Sequence, residues 1–226
     1  LGVKTCIWEM SCMFVSNHMT PNPVTITSGT NIADAAHVMR KNKFRRLPVV
    51  DDGKLVGIIT DRDLREVSPS AATSLSIYEI NYLLAKMKVK DVMKKELITV
   101  RADATVEEAA LLMYNNKIGG IIVVDEAGAP VGIITETDIF KCFVDVMGLP
   151  QGKTRITLDM ADKVGAVHEV TAVFADLGIN IGSMVSHSLV EGKAEMVIRA
   201  DIPDIAVLSA RLQEKGYPVR HVVQIG

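Results

Sequence analysis

Aromatic side chains are scarce in this sequence. Phe, Trp and Tyr make up 4% of the 226 residues, which leaves few rings on which nucleic-acid bases could stack. A charge excess of one sign is also missing, because the formal net charge is −2, whereas general nucleic-acid binders are basic. No apolar run reaches the roughly 18–20 residues that a membrane-spanning helix needs. We therefore expect neither nucleic acid nor membrane as a partner.

Cysteine is equally sparse, with Cys6, Cys12 and Cys142 and no C-x-x-C pair. An odd count without such pairs predicts neither a disulfide framework nor a zinc site, and it fits a reducing cytoplasm. The five histidines show no paired metal spacing, so no metal is expected. Residues 1–12 match nothing else in the chain and lack a signal-peptide pattern, which makes Met13 a candidate natural start.

What the sequence does contain is a repeat. The segment Gly57-Ile58-Ile59-Thr60-Asp61-Arg62-Asp63 returns as Gly132-Ile133-Ile134-Thr135-Glu136-Thr137-Asp138. Upstream pairs such as Met19 and Met93 are 74 positions apart (93 − 19), and the offset becomes 75 (132 − 57) after a turn that holds one extra residue. A surface turn accepts such an insertion at little cost. The chain therefore begins with two copies of one structural unit.

Each copy predicts the same elements in the same order. They are a first strand, an amphipathic helix, a hairpin and a final helix that begins at the threonine of the motif. In copy one the first strand is 23–26, the helix carries apolar positions from Ile32 to Met39, and the hairpin joins 47–50 to 55–59. In copy two Thr105 and Glu108 predict a capping box at the start of the helix.

The pattern changes after Gly148. From about Lys153 the order is strand, helix, strand, strand, helix, strand, which predicts a ferredoxin-like sandwich. The predicted fold class is α/β and α+β, with two βαββα units packed sheet to sheet beside a βαββαβ domain. The predicted domains are 13–67, a linker with a helix at 68–88, 89–148 and 152–226.

These residues carry a family resemblance. The two repeats resemble a tandem pair of CBS (cystathionine-β-synthase-type) domains. The C-terminal unit resembles an ACT domain through Asp162 to Val167 and Leu177 to Ile181, although Val164 stands where a proline is usual. The order CBS–CBS–ACT, with Thr60 to Leu64 and Ser68 to Ser70, is similar to the bacterial acetoin-utilisation regulatory protein family.

The chemistry of the repeated motif favours a phosphate and a sugar. Thr60 and Thr135 stand at helix N-termini, where free N–H groups and the helix dipole favour an anion. Asp63 and Asp138, one turn further on, offer acceptors for ribose hydroxyls. Thr-x-x-Asp at a helix start is also a cap that satisfies backbone donors, and the two interpretations are compatible.

The resemblance implies that the ligand is an adenine nucleotide such as AMP, ADP or ATP. It is expected as a regulatory ligand, with no resident cofactor. By family position, Val24 and Ile98 would form an apolar wall against the base, and the backbone near Phe44-Arg45 and Ile118-Gly119 would contact it.

The two copies differ in charge. Repeat one carries Arg45, Arg46 and Arg62, whereas repeat two has Gly119-Gly120 and Thr137 at the matching positions. Since arginine suits bidentate phosphate contact, we expect repeat one to build most of the anionic pocket. Two alternatives stay open: Arg45 or Arg46 reaches the pocket facing the other repeat, or the arginines form a solvated basic face.

In the ACT unit the resemblance places a small amino acid near Gly165, Asn180 and Ile181, while ordinary turn chemistry after Gly178 is the alternative. Edge-to-edge pairing of ACT sheets implies a dimer.

The sequence has no nucleophile–base pair and no Walker-type loop, so an enzyme is not expected. The predicted function is a cytoplasmic, homodimeric regulatory protein that senses adenine nucleotide, in acetoin or other carbon metabolism, and signals through conformational change or a protein partner. The alternative is an interaction or dimerisation scaffold with vestigial nucleotide sites.

Overall fold

The structure is a computed structural model that describes residues 13–67, 86–149, 154–188 and 192–224. Its internal contacts divide the chain into two units, Leu1–Ile139 and Phe140–Gly226. The predicted linker at 68–74 and nearly all of the helix predicted around Ile77 to Met87 lie outside the described residues. No helix in the described ranges is long and apolar enough to cross a membrane.

The first unit contains both repeats up to the first turn of their last helix, and the rest of that helix belongs to the second unit. Repeat one comprises α1 (Val15–His18), β1 (Thr20–Pro21), α2 (Ile32–Asn42), β2 (Arg46–Asp51), β3 (Lys54–Thr60) and α3 (Asp61–Val67). Repeat two comprises a 3₁₀ turn (Val89–Asp91), β4 (Thr99–Arg101), α4 (Val106–Asn116), β5 (Gly120–Val124), β6 (Pro130–Thr135) and α5 (Glu136–Val146). The strands form a sheet of order β1-β6-β5-β4 and a two-stranded sheet β2-β3.

Local sequence accounts for most of these elements. The two predicted hairpins form as antiparallel pairs of β2 with β3 and of β5 with β6. The predicted capping box is present at α4, where Thr105 N donates to Glu108 Oε2 at 2.8 Å and Glu108 N donates to Thr105 Oγ1 at 3.2 Å. The predicted fold class is confirmed.

The first strand predicted in repeat one is reduced to a single bridge. Residues 23–25 are outside any strand, and Ile26 makes only an isolated bridge to Val49. Asn22 has a φ of 53°, a left-handed conformation that breaks an extended run, and Pro23 has no N–H to donate. The bridge from Ile26 to Val49 matches the pair of Val100 and Val123 in β4 and β5 across the 74-residue offset. The strand β1 at Thr20–Pro21 is a separate element, which pairs with β6 of the other repeat.

That pairing belongs to a reciprocal exchange between the repeats. The first segment of each repeat, residues 14–20 and 88–94, packs on the opposite repeat, and we call these two stretches the exchanged segments. Val15 N donates to Ala104 O at 2.8 Å, and Val89 N donates to Thr30 O at 2.9 Å. These two contacts are related by the 74-residue offset (89 − 15 and 104 − 30). The same offset relates the bridge between Phe14 and Thr105 to the one between Asn31 and Lys88.

The exchange determines the composition of the cores. The buried apolar side chains of the described first unit form two clusters. One contains repeat-one residues such as Leu47 and Ile59 together with Val89. The other contains repeat-two residues such as Ile121 and Ile134 together with Val15. Val15 and Val89 are fully buried. The core of each repeat is therefore completed by a side chain from the exchanged segment of the other repeat.

The motif glycines make this exchange possible. A Cβ added to Gly132 would lie 2.3 Å from Met19 Sδ, and one added to Gly57 would lie 2.5 Å from Met93 Sδ. Each would also lie 3.2 Å from a backbone oxygen of the exchanged segment. The close approach that a strand glycine predicts is therefore made by the other repeat's methionine segment and not by a ligand.

The second unit is the predicted ferredoxin-like domain. Its elements are β7 (Thr154–Ala161), α6 (Ala166–Asp176), β8 (Ile181–Ser188), β9 (Lys193–Ala200), α7 (Ile205–Glu214) and β10 (Val219–Gln224). The sheet is antiparallel with order β10-β7-β9-β8. Helices α6 and α7 pack on one face of the sheet, around Phe174, Met196 and Leu208.

The contact between glycine and methionine gives a stability prediction. We expect Gly132→Ala to lower the free energy of unfolding by about 1–3 kcal/mol, the usual cost of overpacking, because the new methyl group would overlap Met19. Urea denaturation followed by circular dichroism measures it. Gly29→Ala is the matched control, since the nearest atom to its Cβ lies 4.0 Å away. Equal stability of the two variants would contradict the exchange.

Candidate functional site

The repeated Thr-x-x-Asp motif forms a helix cap in repeat one. Asp63 Oδ2 accepts from Thr60 N at 2.8 Å and from Thr60 Oγ1 at 2.6 Å. The carboxylate is buried, with 5% of the residue exposed. Its other oxygen, Oδ1, lies 3.5 Å from Lys94 Nζ. The chain's own groups therefore satisfy both oxygens of the acceptor that the motif was predicted to offer to a ribose.

The motif of repeat two has the same cap in a different setting. Asp138 Oδ2 accepts from Thr135 N at 2.8 Å and from Thr135 Oγ1 at 2.7 Å. The 74-residue offset relates Lys94 to Thr20 (94 − 20), and both occupy the exchanged segments, where Lys94 bridges to Ile58 and Thr20 pairs with Ile133. A neutral threonine therefore stands in repeat two where a lysine neutralises the motif aspartate in repeat one.

A cavity of about 480 Å³ opens beside the motif of repeat two. Its size falls in the range of small-molecule sites, roughly 300–1,000 Å³. The wall has three parts: a threonine-containing stretch around the start of α5, apolar side chains, and a basic stretch from repeat one. The lining residues are Thr20, Asn22, Pro23, Val24, Lys43, Phe44, Arg45, Arg46, Gly119, Ile133, Thr135, Glu136 and Thr137.

The basic stretch enters the cavity because α2 ends just before it. Lys43 caps α2 in the left-handed conformation, with a φ of 56°, which turns the chain into Phe44 and Arg45. These residues then lead into β2, which begins at Arg46. Helix termination in repeat one thus supplies cations to a cavity beside the motif of repeat two.

Arg46 crosses from repeat one onto repeat two. A Cβ added to Gly120 would lie 2.2 Å from Arg46 Nη1, and one added to Gly119 would lie 3.4 Å from Nη2. The guanidinium therefore rests on the Gly119–Gly120 backbone, where larger residues would exclude it. Burial lowers the pKa of Arg46, while the carboxylates of Glu136 and Asp61 act in the opposite direction. A partly desolvated cation of this kind is a strong partner for an oxyanion.

The structure separates the predicted nucleotide-site residues into two groups. Val24, Arg45, Arg46 and Thr135 line the cavity. Thr60, Arg62, Asp63, Ile98 and Asp138 are not among its lining residues. Arg62 is paired with Glu66 at 3.0 Å on an exposed helix face, and Ile98 packs against the core of repeat two.

Arg45 and Arg46 therefore follow the alternative in which they reach the pocket facing the other repeat. Repeat one supplies the cations of the cavity wall, Lys43, Arg45 and Arg46, while the motif beside the cavity is that of repeat two. Thr20, Asn22 and Thr137 also line the cavity and were not predicted. The sequence held a signal for Thr137, because it stands in the first turn of α5 where repeat one has Arg62. It held none for Thr20, because the place of Thr20 in the cavity wall depends on the exchange of segments.

The three ACT candidates lie at element boundaries. Gly165, with a φ of 88°, precedes α6, Asn180 is exposed after α6, and Ile181 begins β8. The adjacent turn is held by Lys163, whose Nζ lies 3.1 Å from Glu169 Oε2, the atom that also accepts from the hydroxyl of Tyr217. These contacts lower the pKa of Glu169, with the hydrogen bond from Tyr217 as the largest cause.

Comparison with known proteins identifies the family. The CBS-domain model matches residues 15–70 and 89–145, and the ACT-domain model matches residues 154–215. A CBS domain-containing protein of Dictyostelium discoideum is 35% identical over 136 residues, which cover 60% of this chain and 94% of that protein. The chain belongs to the CBS-domain proteins and carries an ACT domain after its CBS pair.

Two solved structures add to this assignment. A putative acetoin utilization protein (AcuB) from Vibrio cholerae superposes with a TM-score of 0.51 at 29% identity, over 62% of this chain and 97% of that one. A Methanocaldococcus jannaschii protein, described as a putative archaeal homolog of g-AMPK, gives a TM-score of 0.50 at 32% identity, over 57% of this chain and 47% of that one. The chain spans less than half of the archaeal protein.

The different settings of the two motif aspartates give a second prediction. Asp138→Ala removes one cap and should cost about 1 kcal/mol of unfolding free energy, the usual value for a cap. Asp63→Ala should cost more, because it also removes a buried charge partner of Lys94. Urea denaturation of the two variants in parallel measures the difference. Equal losses would mean that the ion pair with Lys94 contributes nothing.

Proposed function

We propose that the protein is a regulatory sensor that binds an adenine nucleotide in the cavity beside the motif of repeat two. The observation that carries this proposal is the composition of the cavity wall. One side is cationic through Lys43, Arg45 and Arg46, and another is apolar through Val24 and Ile133. A nucleotide has the same division between a charged phosphate end and a flat base.

The phosphate end is assigned to Arg46 and the start of α5. Arg46 lies on Gly119–Gly120 beside the first residues of that helix. Its guanidinium and the helix N-terminus can therefore both attract the same phosphate group. Thr135 lines the same place and keeps its own N–H bonded to Asp138 when the hydroxyl turns to a ligand. The base end is assigned to Val24, which is 43% exposed and therefore has apolar surface left to cover.

The asymmetry between the motifs favours one nucleotide per chain. In repeat one, Lys94 already neutralises the buried Asp63, and the position matching Arg46 is Gly120. A nucleotide there would have to displace an ion pair and would meet no arginine from the facing repeat. The motif of repeat two has the opposite combination, with an arginine that reaches it and no lysine on its aspartate.

The function is regulatory rather than catalytic in this proposal. A ligand held by residues of both repeats shifts the equilibrium between two packings of the pair if it binds them with different affinity. The similarity to the Vibrio cholerae acetoin utilization protein supports a role in acetoin or related carbon metabolism. Leu111 and Tyr114 of α4, which are 60% and 82% exposed, support a homodimer or a protein partner.

Arg46 provides the main test of this proposal. Arg46→Ala should weaken binding of AMP, ADP or ATP roughly 10- to 100-fold, because a charge-assisted hydrogen bond contributes about 1.5–3 kcal/mol. Isothermal titration calorimetry measures the affinity. Arg62→Ala is the matched control, since Arg62 is paired with Glu66 away from the cavity, and it should bind like the wild type. A wild-type chain that binds none of the three nucleotides would instead favour the scaffold function.

The two motif threonines test which repeat binds. Both hydroxyls donate to the motif aspartate, and Thr60 Oγ1 also accepts from Asp63 N at 3.3 Å, so Thr60→Val should destabilise the fold at least as much as Thr135→Val. Only Thr135→Val should weaken nucleotide binding, by roughly 10-fold, with one nucleotide bound per wild-type chain in calorimetry. A larger effect of Thr60→Val, or two equal sites, would reject the assignment to repeat two while leaving nucleotide sensing possible.

A further inference from the structure

An arginine in the ACT sheet is buried, and its Nε finds no acceptor among the described residues. Residues 194, 196, 198 and 200 of β9 are buried beneath the helices, so Arg199 points to the opposite face of the sheet. Only 5% of Arg199 is exposed. Its Nε is covered and has no hydrogen-bond partner in the described part of the chain, and no ion pair to Arg199 is formed there. A covered N–H donor without an acceptor is costly, because water no longer solvates that group.

A second arginine stands directly opposite. Arg155 of β7 pairs in register with Arg199, and like charges in such cross-strand pairs are destabilising. Arg155 Nη1 donates to Thr157 Oγ1 at 2.7 Å, a neutral acceptor that leaves its charge uncompensated. The pKa of Arg199 is lowered, first by burial and then by the charge of Arg155.

The acidic residues of this face are engaged elsewhere. Asp159 and Glu195 pair with each other in register further along the same strands. Both lie within ion-pair distance of Arg220 of β10, at 3.4 and 3.8 Å. Among the described residues, the face therefore holds a compensated cation at one end and two arginines without an ion pair at the other.

Another part of the second unit partly covers the end of the face that holds Arg155 and Arg199. Ser183 of β8 lies opposite Arg199 in register, and its hydroxyl donates to Met147 O at 2.9 Å. Met147, the residue directly after α5, therefore lies at this end of the face. Its carbonyl group carries only partial negative charge, which does not replace an anion.

We propose that Arg155 and Arg199 form an anion site on the helix-free face of the ACT sheet, which takes the carboxylate or phosphate group of a small molecule. Two adjacent guanidinium groups present several N–H donors to the oxygens of one anion, which is the geometry that oxyanions bind best. The bound anion also removes the repulsion within the cross-strand pair. This site is independent of the nucleotide cavity and uses residues of the second unit alone.

The test follows the Nε–H groups of Arg155 and Arg199 by NMR in the full chain, assigned through Arg155→Lys and Arg199→Lys. Inorganic phosphate and acetate are titrated at constant ionic strength, with chloride as the comparison. We expect a saturable chemical-shift change of both Nε–H signals with phosphate or with acetate. The anion that causes it shows whether the site takes a phosphate or a carboxylate group. Arg46→Ala should leave the response unchanged, which separates it from binding in the CBS cavity. The proposal would be overturned if the Nε–H signals did not shift with phosphate or acetate, or if they shifted equally with chloride.

Thermal unfolding supplies an independent measurement. A ligand that binds only the native state raises the melting temperature, so the effective probe should stabilise the wild type and lose that effect in Arg199→Met. Without the probe, Arg199→Met should be at least as stable as the wild type, because it removes an unpaired buried charge. If Arg199→Met fails to fold, Arg155→Gln replaces it, since Arg155 is only half-buried. An undiminished probe effect in the variant would contradict the site.

Discussion

The first unit depends on the exchange of segments between its repeats. Neither βαββα copy completes its core alone. Val89 of the second copy fills the core of the first, and Val15 of the first copy fills the core of the second. Burial of one such valine contributes about 1.5–3 kcal/mol, and the backbone hydrogen bonds on either side of it fix its direction. The motif glycines are part of the same constraint, since they admit the methionines that follow the exchanged valines. The two repeats therefore fold as one unit, and a substitution in the core of one repeat alters the packing of both.

This constraint also makes two similar motifs chemically different. The exchanged segments deliver Lys94 to one motif and Thr20 to the other at matching positions. Lys94 holds the buried Asp63 in an ion pair, while Thr20 lines the open cavity. The difference is therefore decided by residues that lie outside both copies of the motif. Duplicated sites can diverge in this way without any change in their own Thr-x-x-Asp pattern.

The sequence predicted what local patterns determine. Short apolar runs on either side of a glycine-containing turn located the hairpins, and the capping box at Thr105 located a helix start to the residue, because both signals lie within a few positions. The strand at 23–26 was wrong, since Pro23 and the left-handed Asn22 outweigh the β-branched residues that follow. The exchange could not be predicted, because it depends on contacts between residues far apart in the sequence, such as Val15 with Ala104 and Val89 with Thr30. The contact of Arg46 with Gly119–Gly120 had a signal, the loss of side chains where repeat one has two arginines, but the sequence left its direction open. Arg199 gave no signal at all, because an arginine at the end of a strand is ordinarily exposed.

The position of Arg46 links binding to conformation. Its backbone belongs to β2 of repeat one, whereas its guanidinium lies on the backbone of repeat two. An anion bound beside it would hold both repeats through one side chain, and the affinity would depend on their relative packing. A ligand that touched only one repeat would bind every packing equally and shift nothing. The cavity between elements of both repeats therefore has the one property that a sensor needs beyond affinity, which is a ligand contact that changes when the protein changes shape.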